Sequence, residues 1–476
     1  MTLWTAQEAA AATSGTVAGD WSATGVSIDT RKLVRGDLFV ALTDKRDGHD
    51  FVRQALINGA SAAMVSRVPA SVKSRDRLLI VDDVQKGLEA LGRIGRERSR
   101  AKVCAITGSV GKTSCKEMMT TVLAEQGKVS ASVASYNNQW GVPLTLARIP
   151  PDADFAVIEI GMNKPGEISP LACLARPHVA LITTVGAAHL EEFADEVEIA
   201  LEKARIFDGL EPNGTAVINA DTKHTTCLRN SAQARSARIV DFGRQARDFC
   251  LLDTHQQDDF FVARAHANGK QVIFKLATQG VHFVTNALGV IAASSALGAD
   301  IALVAQAMGR WSPGEGRGQV QRLWLRSAQK EQAFTLIDDC YNANPVSMGA
   351  ALELLVASAP TDLSSVWRGR KIALLGDMAE LGADGPQFHT ALAHHPAMEH
   401  IDIVHCVGPL TAHLHEELPK EKRGEHFENA AQMAAWVGKE IAADDVVLVK
   451  ASLMTGLRSV VDAIQKLAHR EKPMDE

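Results

Sequence analysis

The residues best suited to chemistry lie in a short glycine-containing segment, GSVGKTS, at residues 108–114. An apolar run precedes it and a helical pattern follows it, a setting in which backbone N–H groups close around phosphate oxygens. Lys112 can reach the outer phosphates, and Thr113 can bind Mg²⁺. The full motif has a glycine where this chain has Ile106, so the loop is a shortened form. We predict a nucleoside triphosphate site formed by Gly108, Ser109, Val110, Gly111, Lys112, Thr113 and Ser114.

Two further polar residues are associated with apolar, strand-like runs. Glu159 interrupts FAVIEIGM, residues 155–162, where a carboxylate is costly unless it is paired or binds a cation. The sequence leaves Mg²⁺ coordination and a core salt bridge as alternatives. His189 follows the run at residues 180–185, and ligands of open α/β sheets bind at such strand ends, although a lone histidine is often structural. We predict that both side chains hold metal near the phosphate loop.

One lysine lies inside an apolar helical stripe. The segment EVEIALEKARIFDGL, residues 196–210, places Lys203 among apolar residues when it is wound at about 3.6 residues per turn. In one interpretation the ammonium group reaches water while its stem packs. In the other, burial keeps the amine partly neutral, so that it captures CO₂ as a carbamate and supplies an oxygen ligand for a second Mg²⁺. The sequence does not distinguish the two.

Strand-length apolar runs alternate with helical patterns in three blocks, which is typical of α/β folds. The basic run GRIGRERSRAK, residues 92–102, indicates a solvated helix end and a first boundary, and SPGEGRG, residues 312–318, closes the second block. The third block predicts a doubly wound sheet without a dinucleotide GxGxxG motif. We predict three domains: a smaller N-terminal α/β domain (1–100), a central P-loop ATPase domain with a mostly parallel sheet (101–317) and a C-terminal Rossmann-like domain (318–476).

Composition argues against several classes of protein. The 476 residues carry a net charge of −6, without the basic excess of nucleic-acid surfaces, so no nucleic-acid partner is expected. The first residues show no secretory pattern, and the seven cysteines lack CxxC spacing, which favours a cytoplasmic location. The uncharged run at residues 281–299 contains polar residues and predicts a buried helix rather than a membrane span. NKPG, residues 163–166, lacks the aspartate with which GTPases read guanine.

Together these motifs resemble the Mur ligases, ATP-dependent amino acid and peptide ligases of bacterial cell-wall precursor synthesis. TGSVGKTSCKEM is similar to their nucleotide loop, VIEIGMN to the segment of their metal-binding glutamate, and TTVGAAHLEEF to that of their metal-binding histidine. EKARIF resembles the segment whose lysine is carbamylated in the family, here Lys203. The resemblance implies that Asn286 meets adenine, that Arg317 reaches the γ-phosphate, and that Asp339 or its neighbour Asp338 contacts the nucleotide.

Segments of all three blocks resemble the family member that adds D-alanyl-D-alanine to a UDP-N-acetylmuramoyl (UDP-MurNAc) tripeptide. These segments are SIDTRKLVRGDLFVALTDKRDGHDF, SYNNQWGVPLTL, IDDCYNANP and LGDMAELG. The resemblance implies ATP, two Mg²⁺ ions, an acyl-phosphate intermediate, these two small-molecule substrates and a monomer. Because the reaction joins two anions, it requires positive charge and alignment. The implied catalytic residues are Lys112, Glu159, His189, Lys203 and Arg317.

Contacts to the peptide substrates are implied in each block. They are Ser27, Thr30 and Arg31 at the UDP end, Asn137 and Asn138 at the peptide, and Asn342 and Asn344 near the incoming dipeptide. The DTRK segment and the asparagine pair are equally typical of solvated turns. Two departures from the family pattern concern the dipeptide pocket: Ala451 replaces the glycine of a KGS element, and Trp140 replaces an aliphatic residue.

Three alternatives stay open at the level of sequence. Another Mur-type ligase or a folylpolyglutamate-type ligase shares the ATP chemistry, although the latter does not need the first block. A nucleotide-dependent switch or binding module would hydrolyse ATP without an amine acceptor and would not need His189 or Lys203.

Overall fold

The computed structural model describes residues 2–133, 135–257, 260–325, 333–358 and 369–469. In the described ranges, sheets of five, nine and seven strands follow one another along the chain, and a two-stranded ribbon lies near its start. Most strand pairs within each large sheet are parallel, which confirms the predicted α/β class.

The N-terminal region contains the ribbon and the five-stranded sheet. Its strands are β1 (Trp4–Thr5), β2 (Thr16–Val17), β3 (Ser22–Ala23), β4 (Gly25–Ser27), β5 (Asp37–Val40), β6 (Ala62–Val65) and β7 (Leu78–Ile80). Its helices are α1 (Ala6–Thr13), α2 (Val52–Ile57) and α3 (Val84–Arg98), with a 3₁₀ turn at Gly48–Phe51. β1 pairs with β3, and the sheet order is β2-β7-β6-β5-β4, parallel except for the β2–β7 pair.

The central region contains the nine-stranded sheet. Its strands are β8 (Lys102–Thr107), β9 (Val129–Ala131), β10 (Phe155–Glu159), β11 (Val179–Ile182), β12 (Thr215–Asn219), β13 (Arg238–Gly243), β14 (Phe249–Gln257), β15 (Phe260–Ala267) and β16 (Lys270–Leu276). Its helices are α4 (Lys112–Leu123), α5 (Gly141–Ala147), α6 (Ile168–Ala175), α7 (Glu196–Ala204), α8 (Thr225–Ala234), α9 (Val281–Ala296) and α10 (Ile301–Met308), with a 3₁₀ turn at Arg205–Gly209. The order is β16-β15-β14-β13-β12-β11-β8-β10-β9, and only the β14–β15 and β15–β16 pairs are antiparallel.

The C-terminal region contains the seven-stranded sheet. Its strands are β17 (Gln319–Leu325), β18 (Ala333–Asp339), β19 (Lys371–Gly376), β20 (Ile403–Val407), β21 (Arg423–Phe427), β22 (Val446–Lys450) and β23 (Ala468–His469). Its helices are α11 (Pro345–Ala357), α12 (Gly385–Leu392), α13 (Thr411–Glu417), α14 (Ala430–Trp436) and α15 (Arg458–Lys466), with 3₁₀ turns at Gly382–Asp384, Pro396–His400, Val437–Lys439 and Leu453–Thr455. The order is β21-β20-β19-β22-β18-β17-β23, with antiparallel pairing only on the β17 side.

The central strand β8 is apolar from Val103 to Ile106 because both of its faces are buried there. Cys104 and Ile106 pack into the core on one face of the sheet, and Val103 and Ala105 pack into the core on the other. The carboxyl end of β8 therefore delivers the phosphate loop from a strand that is fixed on both sides.

The basic run at the end of α3 is exposed at Arg93 and Arg100, as predicted, but one of its arginines is buried. Arg96 is 5% exposed and donates to the carbonyl oxygens of Ala175 and Arg176 at 2.8 and 2.7 Å. These carbonyls end α6, so the guanidinium satisfies acceptors that lack helical partners. The charge pattern of the run does not reveal this contact, because the contact joins segments that lie far apart in the sequence.

The uncharged run at residues 281–299 forms α9, most of whose residues are buried, as predicted. Among the described residues, none of the helices combines the length and the apolar character needed to cross a membrane.

Candidate active site

The phosphate loop lies between β8 and α4, as predicted. Gly108 has a φ of +153°, and a Cβ there would lie 1.9 Å from Thr183 Oγ1, so only glycine fits without rearrangement. Lys112 begins α4, and its Nζ donates to the Gly108 carbonyl at 2.6 Å. The first N–H groups of α4 have no partners within the helix, which makes this turn suited to an anion.

Glu159 ends β10 beside the loop. Its Oε2 accepts the hydroxyl hydrogen of Thr113 at 3.0 Å, and its Oε1 accepts from Asn137 Nδ2 at 2.8 Å. The residue is 1% exposed, and the charges of Lys112 and Lys116 act on its carboxylate. The salt-bridge alternative therefore stays open beside a metal-binding role. A carboxylate beside a hydroxyl is a donor set that suits Mg²⁺, which takes few protein oxygens and completes its shell with water and phosphate.

The electrostatics of the loop favour an anionic ligand. Burial lowers the pKa of Lys112; Glu159 opposes this shift, and the nearby Arg317 adds to it. Two cations thus approach one carboxylate, and added phosphate oxygens would relieve their repulsion.

His189 follows β11, and its ring meets a residue of the C-terminal region. His189 Nδ1 lies 2.6 Å from Glu380 Oε2. The hydrogen bond from His189 holds the pKa of Glu380 below its usual value. Both residues have left-handed backbones, with φ values of +60° and +63°. Such conformations are uncommon outside glycine and persist where the surroundings fix them.

Arg317 is held by an aromatic ring and a serine. Its guanidinium carbon lies 4.0 Å from the Tyr341 ring centroid, and its Nη2 donates to Ser135 Oγ at 2.8 Å. Asn344 caps α11 and also places its Nδ2 3.4 Å from the Ser109 carbonyl oxygen, so the C-terminal region contacts the phosphate loop directly.

A buried ion pair lies at the carboxyl ends of β18 and β22. Lys450 Nζ donates to Asp339 Oδ2 at 2.7 Å and to the Asn342 carbonyl at 3.0 Å. Burial raises the pKa of Asp339, and Lys450 opposes that shift. Burial lowers the pKa of the neighbouring His282 to about 4, and Lys450 adds to the shift.

These groups line one cleft of about 360 Å³. A Cβ at Gly111 would meet Asn286 Nδ2 at 2.9 Å, so the predicted adenine contact lies against the phosphate loop. The predicted residues that line the cleft are Ser109, Val110, Gly111, Lys112, Thr113, Ser114, Asn137, Asn138, Glu159, His189, Asn286, Arg317, Asp339, Asn342 and Asn344. Gly108 does not line the cleft. Its carbonyl oxygen accepts a hydrogen bond from Lys112 instead.

Lys203 is buried away from the cleft surface. The residue is 1% exposed, so the interpretation in which its ammonium group reaches water is wrong. Burial lowers its pKa well below the ordinary value; Lys112 lowers it further, and Glu202 acts in the opposite direction. The amine is therefore biased towards its neutral, nucleophilic form.

A second pocket, of about 700 Å³, lies against the N-terminal sheet. Thr30 and Arg31 line it, and the Arg31 side chain is 81% exposed and pairs with Asp29 at 2.7 Å. Ser27 is not brought to the pocket wall: it is 2% exposed, and its Oγ donates to the Asp29 carbonyl at 3.1 Å.

Two aromatic residues from the segment before α5 complete this pocket, Tyr136 and Trp140. Asn138 Oδ1 accepts from the backbone N–H groups of Trp140 and Gly141 at 3.2 and 3.0 Å, so its side chain supports the turn. The side chain of its neighbour Asn137 instead donates to Glu159. One asparagine of the pair therefore supports the turn, and the other contacts the cleft.

Two family models match this chain, the Mur ligase middle domain over residues 106–294 and the Mur ligase glutamate ligase domain over residues 321–453. The UDP-N-acetylmuramoyl-tripeptide--D-alanyl-D-alanine ligase of Escherichia coli (strain K12) is 35% identical over 93% of each chain. The chain belongs to the Mur ligase family. Its predicted family membership is therefore confirmed.

Two solved Mur ligases have the same fold along nearly the whole chain. MurF from Acinetobacter baumannii is 28% identical, with a TM-score of 0.82 over 97% of this chain and 99% of its own. The MurF ligase from Thermotoga maritima, solved in complex with ADP, is 26% identical, with a TM-score of 0.74 over 93% of this chain and 97% of its own.

Sequence reasoning missed several residues of this Mur ligase cleft. Lys450 ends the apolar run VVLVK, the same signal that singles out Glu159, and applying it there would have found it. Ser135 and Tyr341 lie in SYNNQWGVPLTL and IDDCYNANP, which contain predicted residues, but they carry no pattern of their own. Glu380 lies in LGDMAELG, one of the segments that carry the family resemblance, but nothing local pairs it with His189, which lies in another sheet region.

Proposed function

We propose that this chain is an ATP-dependent ligase that adds D-alanyl-D-alanine to a UDP-MurNAc-tripeptide. One observation carries the proposal: a single cleft joins the phosphate loop, Glu159 and Arg317 of the central region to Tyr341 and Asn344 of the C-terminal region. The choice of substrates rests on the function of the Escherichia coli relative, which this chain matches over 93% of each length.

The residues of the cleft fit an ATP·Mg²⁺ complex. Thr113 and Glu159 would hold one Mg²⁺, and His189 would contribute to a second. When bound, Mg²⁺ neutralises phosphate charge and orients the γ-phosphate. Lys112 and Arg317 supply the positive charge that the protein itself brings to the phosphates, and Asn286 lies where an adenine would approach the loop.

The proposed reaction has two steps. A carboxylate oxygen of the tripeptide attacks the γ-phosphorus of ATP, which breaks the bond to the β–γ bridging oxygen and gives an acyl phosphate and ADP. The free amine of D-alanyl-D-alanine then attacks the acyl carbon, loses a proton and expels phosphate. Since two anions meet in the first step, alignment by Lys112 and Arg317 is the main task of the protein.

Lys203 is proposed to react with CO₂ before catalysis. Its neutral amine would form an N–C bond to CO₂ and release a proton, giving a carbamate that carries the negative charge a second Mg²⁺ needs. The supporting observations are its burial and its strongly lowered pKa beside Lys112. A carbamate would turn an unfavourable buried cation into a partner of the Lys112 ammonium.

The tripeptide carrier is proposed to bind with its UDP end in the N-terminal pocket. That pocket has exposed cationic side chains, among them Arg31, and the aromatic faces of Tyr136 and Trp140. We retain the division into domains at residues 1–100, 101–317 and 318–476, because each segment carries its own sheet.

Phosphate release from ATP tests this function. The purified protein is expected to release phosphate only when UDP-MurNAc-tripeptide and D-alanyl-D-alanine are both present, with a UDP-pentapeptide product visible by mass spectrometry. Phosphate release that is equally fast with and without the dipeptide would favour a nucleotide-dependent switch. Release with glutamate and a folate acceptor instead would favour a folylpolyglutamate-type ligase.

A further inference from the structure

One contact joins the proposed metal site to the C-terminal region. His189 Nδ1 and Glu380 Oε2 are 2.6 Å apart, a short, charge-assisted hydrogen bond. Glu380 belongs to the loop between β19 and the 3₁₀ turn Gly382–Asp384, whereas His189 belongs to the loop between β11 and α7. The contact therefore spans two sheets.

The two loops are packed as well as hydrogen bonded. Leu190, next to His189, packs against both the central core and the C-terminal core. A Cβ at Gly382 would lie 3.4 Å from Glu191 Cα and 3.5 Å from the Leu190 carbonyl oxygen, so the backbones lie in close contact. The left-handed backbones of His189 and Glu380 are held within this contact.

We propose that Glu380 is a positioning residue for His189. By accepting the Nδ1–H of His189, the carboxylate fixes the ring and selects the tautomer in which the Nε2 lone pair is free to bind Mg²⁺. Carboxylates commonly hold metal-binding histidines in this way. The role of His189 as a ligand rests on the proposed function, whereas the contact between the loops does not.

The location of Glu380 has a consequence for catalysis. Because the carboxylate comes from the C-terminal region, His189 is held in one orientation only while that region is docked on the loop at residues 186–193. Docking therefore completes the second metal position, and separation of the regions disorganises it.

The test compares Glu380→Ala with Glu380→Gln and with Glu417→Ala. Glu417 is a matched control, because it is also a partly exposed glutamate that pairs with a histidine, His394, at 3.1 Å. Glu380 is 49% exposed in its side chain, so its removal should not prevent folding, and thermal melting checks this. The glutamine variant keeps an oxygen that can accept the Nδ1–H. It should therefore lie between the wild-type protein and Glu380→Ala in the measurements below.

Two measurements decide the proposal. Hydrogen exchange without nucleotide should rise at residues 186–193 in Glu380→Ala and stay at the wild-type level in Glu417→Ala. Calorimetry should measure ADP affinity with and without Mg²⁺. In Glu380→Ala the affinity with Mg²⁺ should fall about tenfold, and the affinity without Mg²⁺ should not change. In the ligase assay, KM for Mg²⁺ should rise while kcat at saturating Mg²⁺ changes little.

Unchanged exchange in Glu380→Ala would overturn the proposal, since the contact would then hold nothing in place. Raised exchange with an unchanged effect of Mg²⁺ on ADP binding would also overturn it, because Glu380 would then be a structural contact only. Neither result depends on ligase turnover. If the wild-type protein lacks ligase activity, the proposed function fails while these two measurements still stand.

Discussion

The two pockets of this Mur ligase are built in opposite ways. In the ATP cleft, Glu159 and Lys450 are each 1% exposed. Glu159 is hydrogen bonded to Thr113, and Lys450 to Asp339. In the N-terminal pocket, the Arg31 side chain is 81% exposed and pairs with Asp29 of its own turn. One pocket has its charges in place before a ligand arrives, and the other presents them in water.

The difference corresponds to the role proposed for each pocket. Groups that stabilise developing charge act most strongly when they are fixed and partly desolvated, so a rigid cleft suits phosphoryl transfer. Exposed cations are screened and contribute modest binding energy, which suits a pocket that only holds one end of a long substrate. Substitutions in the cleft should therefore affect turnover, and substitutions in the N-terminal pocket should affect substrate affinity.

The largest effect is expected for Lys112→Ala. Losing the cation that folds over the phosphate loop should lower kcat for phosphate release about 100-fold or more, roughly 2.7 kcal/mol of transition-state stabilisation. The control is Lys128→Ala, an exposed lysine paired with Asp152 at 2.7 Å. Near-normal turnover in Lys112→Ala would contradict the assignment of the cleft to ATP.

Lys203→Met should come next, with kcat falling on the order of 100-fold, about 2.7 kcal/mol. Methionine fills a similar volume and removes a buried amine, so the free energy of unfolding should not fall. The wild-type protein should show a carbamate carbon by ¹³C NMR with labelled bicarbonate, and the variant should not. Full activity of the variant in bicarbonate-free buffer would rule out the carbamate.

The parts of the cleft that follow from local sequence could be predicted. The phosphate loop, the strand that ends at Glu159 and the stripe that buries Lys203 each depend on neighbouring residues and their periodicity. The alternating burial of β15, with Phe261, Ala263 and Ala265 inward, also has a readable pattern, yet the antiparallel extension of the central sheet was not identified.

The remaining features depend on contacts between distant segments. Arg96 is buried only because α6 ends against it, and the local charge run gives the opposite impression. Glu380 and His189 meet because two sheets are docked, which no periodicity encodes. Ser27 was predicted to contact the UDP end, but its hydroxyl donates to a carbonyl of its own loop instead.

An effect of intermediate size is expected for Asn137→Ala. Its amide holds Glu159 in place, so Mg²⁺-dependent ADP affinity should fall about tenfold. Asn138→Ala is the matched neighbour: it loses only turn contacts, which should cost about 1 kcal/mol of stability and leave Mg²⁺ affinity unchanged. Equal losses of Mg²⁺ affinity in both variants would mean that the turn, and not Asn137, positions the carboxylate.

The smallest effect is expected for Arg31→Ala in the N-terminal pocket. Because the guanidinium is exposed and screened, its removal should raise KM for the UDP-peptide by less than about fivefold, with kcat unchanged. The increase should shrink in high salt, and Arg238→Ala, an exposed arginine on β13, should leave KM unaltered. A fall in kcat for Arg31→Ala would break the comparison, because it would give the N-terminal pocket a part in the chemical step that its exposed charges cannot explain.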